Sequence, residues 1–70
     1  MEVNMNELEK LKVLLHHWME HNSEHADSYR AWAEKASSFG NEELSKTLLR
    51  LYEETRKLNE LFEEALKKTS

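Results

Sequence analysis

Seventy residues with no cysteine, no proline and one glycine make a single domain, near the smallest size at which one core holds a chain together. No disulfide framework or thiolate metal site is available, and few positions allow a sharp backbone turn. The net charge of −4, with both signs interspersed, excludes the basic face that a nucleic-acid or anionic-membrane binder carries.

Leu, Glu, Lys and Ala dominate, which is the composition of helix formers. No apolar run approaches the ~18 residues of a membrane span. Met1 leads into no signal-peptide pattern, so the expected location is the cytoplasm.

Residues 1–4 read as a loose end. Asn4 with Glu7, or Asn6 with Glu9, has the spacing at which a cap side chain and a glutamate satisfy free backbone donors reciprocally. From there a stripe runs Leu8, Leu11, Leu15, Trp18, Asn22, His25, Tyr29, Trp32, Ala36 and Phe39. Its steps alternate three and four, the spacing of a helix that lays one seam on a partner.

Ser37-Ser38-Phe39-Gly40-Asn41 is the one clear punctuation. Gly40 suits the left-handed conformation that ends a helix, and Asn41 suits the cap of the next, with Glu42 and Glu43 at its positive end. A second stripe follows through Leu44, Leu48, Leu51, Thr55, Leu58, Phe62 and Ala65. Glu53 with Lys57, Glu63 with Lys67 and Glu64 with Lys68 stand at i,i+4, each pair worth only ~0.2–0.5 kcal/mol.

The expected fold is all-α: an antiparallel hairpin with a helix over about 5–38, a turn at 38–41 and a helix over about 42–68. The alternative is a three-helix bundle with a break near Asn22-Ser23, where Ser23 would cap. At 1.5 Å per residue, 6–38 spans roughly 50 Å and 42–68 roughly 40 Å, a match that favours the hairpin. Leu14, Met19, Ala26 and Ala33 flank the first stripe, and Leu49, Tyr52, Leu61 and Leu66 the second. A bare hairpin leaves much of that surface wet, so a homodimer or another protein partner is expected, with no nucleic acid and no membrane.

His17, His21 and His25 recur at i, i+4 and i+8 and line one side of a continuous helix. Two imidazoles at i,i+4 can reach one divalent ion, and Glu24 stands near enough in sequence to add an oxygen. A ligand set without sulfur suits nickel, zinc or copper, and closing the site requires Glu60, Glu63 or Glu64 from the second helix. The same histidines also read as half-buried polar residues of an amphipathic helix.

Asn22 and His25 interrupt the apolar stripe. A polar residue at such a position fixes register at a cost in stability, and a buried neutral His25 would make the fold sensitive to acid. Trp18, Tyr29 and Trp32 read as core anchors, and Arg30 either pairs with Glu34 or stacks on a ring. No serine sits in a Gly-rich elbow, and no acid–base pair shares a pocket pattern, so catalysis is not expected and no catalytic residue is assigned.

His17, Trp18, Glu20, His21, Asn22, His25 and Ala26, with Trp32 and Ala33 downstream, resemble a family of short uncharacterised helical proteins, mostly archaeal. The motif is His-Trp-x-Glu-His-Asn-x-x-His-Ala and covers about a third of the chain. The second helix matches only as generic Leu/Ala/Glu heptads, and His16 lies outside the motif. The segment is also similar to the helical tail of small nickel-binding accessory proteins. The first resemblance implies a class and no activity; the second implies metal binding.

Overall fold

A computed structural model describes the backbone of residues 2–69 and the side chains of residues 7–69. Two helices, α1 (Glu2–Ser38) and α2 (Glu42–Lys67), pack antiparallel as a hairpin, and no strand occurs among the described residues. α1 passes through Asn22-Ser23 without a break, so the three-helix arrangement does not form. No Gly or Pro interrupts the helical hydrogen bonding there. Because α1 starts at Glu2, Asn4 and Asn6 lie inside it and do not cap it; their side chains, like Met1, lie outside the described residues.

The turn forms as its residues dictate. Gly40 takes φ +90°, the left-handed conformation open to a residue without Cβ. The Asn41 N–H then donates to Ala36 O at 2.9 Å and the Gly40 N–H to Ser37 O at 3.0 Å, satisfying two carbonyls of the last turn of α1. Asn41 Oδ1 accepts from the Leu44 N–H at 3.1 Å and caps α2. Ser37 Oγ donates to Glu42 Oε2 at 2.8 Å and ties the two helix ends together.

The most deeply enclosed residues of the seam between the helices are small. Ala26, Ala33 and Ala36 are each 1% exposed, and Leu15 and Ser45 are also buried. Met19, Asn22, Ser23 and Tyr29 of α1 and Leu48, Tyr52, Thr55, Asn59, Phe62 and Leu66 of α2 are half-buried along the same line. No large side chain among the described residues is fully enclosed.

This corrects half of each expected stripe. Leu15, Asn22, Tyr29 and Ala36 face the seam, as do Leu48, Thr55 and Phe62, while Trp18, His25, Trp32, Leu44, Leu51 and Leu58 stand exposed beside it. Met19, Ala26 and Ala33 replace the outer members in α1, and Ser45, Tyr52 and Asn59 in α2. Each helix is therefore rotated by about 50° from a seam that follows the bulkiest residues. Alanine and serine let the backbones approach closely, whereas two facing rows of Trp and Leu would hold them apart.

Candidate functional site

Helical periodicity assigns the displaced residues to one side of the hairpin. In an antiparallel pair, equivalent flanking positions of the two helices lie on the same face. One face therefore presents Leu11, Trp18, His25 and Trp32 from α1 beside Leu44, Leu51 and Leu58 from α2, with Leu14 and Leu61 at its edges. The exposures are large for residues of this kind: Trp18 43%, Trp32 55% and Leu51 43%. The Lys35 ammonium stands 4.4 Å from the centre of the Trp32 ring.

The opposite face is polar. Tyr52 lies between Arg30 and Arg56, each guanidinium 5.8 Å from the ring centre, and Arg56 also donates to the Tyr52 hydroxyl at 3.3 Å. Arg30 in addition approaches Glu34 at 3.8 Å, so it both stacks and pairs. On α2, Glu64 and Lys68 pair at 3.3 Å, whereas Lys57 turns to Glu54 at 3.7 Å instead of Glu53.

The histidines form a ladder that drifts from the outer flank toward the seam. Ring centres are 4.3 Å apart for His17 and His21, and 6.3 Å for His21 and His25. His25 stacks on Tyr29 at 6.3 Å with 17° between the planes. All three imidazoles and Glu24 are exposed, and no group of three His, Cys, Asp or Glu side chains able to hold a metal ion comes together among the described residues.

His25 is therefore not the buried polar spot of the seam; Asn22 holds that place. Its amide donates to Thr55 O at 2.6 Å and to Asn59 Oδ1 at 2.9 Å, and the Asn59 amide donates to Ser23 Oγ at 3.0 Å. Reading the sequence missed Asn59. The signal was its place on the same helical line as Ser45 and Tyr52, seven residues apart in each step.

Depressions in the surface are shallow and lined by single helices, one by Tyr52, Glu53, Arg56, Lys57 and Glu60, another by Glu9, Lys10, Val13 and Leu14. No helix of the described residues is long and apolar enough to cross a membrane. No curated protein and no solved structure matches the chain. A family profile does match, over residues 11–69, and by it the chain belongs to a family described as a domain of unknown function, DUF8180.

Proposed function

We propose that the chain is a small protein-interaction module that acts by binding, not by catalysis, and docks through the face bearing Trp18, Trp32, Leu44, Leu51 and Leu58. The observation that carries this reading is the division of labour within each helix. Small residues are the most deeply enclosed part of the seam, while most of the exposed large apolar side chains are left on one side. Contiguous apolar surface of this extent, rimmed by polar residues, is what association sites present.

A photo-crosslinking amino acid placed at Leu51 on the apolar face, and separately at Glu53 on the polar side, tests the reading in cells. Adducts from position 51 and none from 53 are expected, whatever the partner. Equal labelling from both positions, or none from either, would overturn it.

A second reading is favoured by the 4.3 Å separation of the His17 and His21 rings: binding of nickel or zinc by His17, His21 and His25 with Glu24. The similarity of this segment to the helical tail of small nickel-binding accessory proteins would belong to this reading. Titrating Ni²⁺ or Zn²⁺ while following imidazole NMR signals should move His17, His21 and His25 together at one stoichiometric point. Weak, uniform broadening that includes His16 rejects it.

A further inference from the structure

We infer that the occupant of the apolar face is a second copy of this chain, stacked face to face into a four-helix bundle. The inference rests on the interaction-module reading and names its partner.

The size of the molecule argues first. Its accessible surface is 5722 Å², against roughly 4,600 Å² for a globular monomer of this mass. Its radius of gyration is 16.6 Å, where about 11 Å is usual for 70 residues. The hairpin measures 58 × 14 × 10 Å, so it is a plate one helix thick. A second layer is what turns a plate into a core with an inside.

The area matches next. Leu11, Trp18, Trp32, Leu44, Leu51 and Leu58, with the edge leucines and Phe39, are each at least 40% exposed, and covering them completely would remove on the order of 800 Å² per chain, about one partner's share of an interface of standard size. Each helix also carries an apolar stripe wide enough for two neighbours. Its inner half meets the other leg of the hairpin, and its outer half has the position that meets the next hairpin in a bundle.

Charge makes a like copy the fitting occupant. The central line of the face holds no Asp, Glu, Lys or Arg, and the next positions outward hold Glu7, Lys35, Glu54 and Lys68, two of each sign. The carboxylate excess, including Glu20, Asp27, Glu34, Glu53, Glu60 and Glu63, falls on the far side by the same periodicity. Two copies therefore meet without like-charge repulsion, and nothing on the face selects a strongly charged partner. Two-fold pairing of identical patches is the common way for such a face to close.

Both tryptophans of the chain lie on this face and report its covering. Sedimentation equilibrium of the full chain, with tryptophan emission and acrylamide quenching recorded across the same concentrations, tests the inference. The expected result is a mass twice 8.4 kDa, reached as the emission shifts to the blue and quenching falls. Leu51→Glu should weaken association on the order of a hundredfold, since symmetry counts the substitution twice, and Glu53→Gln should leave it unchanged. Should the Leu51→Glu chain lose its helical circular dichroism, the quenching of the unaltered chain still decides. A monomer at all concentrations overturns the second copy and leaves the face to a different protein. A dimer whose tryptophans stay open to quencher overturns both this inference and the interaction face.

Discussion

The amide of Asn22 reaches across the seam to the backbone carbonyl of Thr55 at 2.6 Å, and the same nitrogen lies 2.9 Å from Asn59 Oδ1. With Ser23 these residues form a polar knot near the middle of an otherwise apolar and small-residue seam, and among the described residues no buried side-chain nitrogen or oxygen lacks a partner. Sliding one helix past the other by a turn would leave both amides half-buried and unpaired, so the knot sets register.

Asn22→Ala should therefore destabilise the hairpin by about 1–2 kcal/mol, because Asn59 loses its donor inside the seam. Asn59→Ala should cost a similar amount, and the double variant less than the sum, with a coupling of about 1 kcal/mol in a thermal-denaturation cycle. Strict additivity would mean that the two amides act independently.

Ala33→Leu should destabilise by about 1–3 kcal/mol, since Ala33 is 1% exposed and a larger side chain forces the backbones apart. Trp32→Leu, one residue away on the outer face, should change the melting temperature far less when both variants are melted at a dilution where the chain is monomeric. Equal losses at the two positions would mean that the seam runs through Trp32 after all.

Gly40→Ala should cost about 1 kcal/mol through backbone strain alone, because φ is +90° while an added Cβ meets no atom within 4 Å. D-alanine at the same position, made by chemical synthesis, should instead raise the melting temperature. A loss from both alanines would trace the effect to crowding. Asn41→Ala should cost about 1 kcal/mol at the α2 cap, and Asn41→Asp should restore most of it.

Raising NaCl from 0.05 to 1 M should move the melting temperature by less than about 5 °C. The ion pairs Glu9–Lys12, Arg30–Glu34, Glu54–Lys57 and Glu64–Lys68 are all at the surface, where each contributes little and is screened. A steep fall in salt would assign the fold to charges rather than to the seam.

Helix type, the turn and its cap were legible because they depend on residues close in sequence: Gly40, Asn41, Glu42 and the three-four alternation. The spacing of the histidine ladder was legible for the same reason. Which of two adjacent stripes turns inward was not. Residues such as Leu15 and Phe62 belong to both stripes, and the choice between Trp18 or Met19, and between Trp32 or Ala33, is a rotation of about 50°. Size favoured the tryptophans, whereas close approach of two backbones favours alanine. The partner of Asn22 likewise depends on where the second leg lands, which local periodicity does not encode.

The two legs are joined at one end only, and their cross-links are nested: Tyr52 meets Arg30, and Thr55 and Asn59 meet Asn22 further out. Every rung beyond the Gly40 corner thus closes a longer stretch of polymer than the rung before it, at an entropic toll that rises slowly. Assembly is expected to run outward like a zip fastener, with opening beginning at the unjoined tips. Slow deuterium uptake near Ala36 and Ser45, fading toward Leu15 and Phe62, is the trace that this geometry leaves.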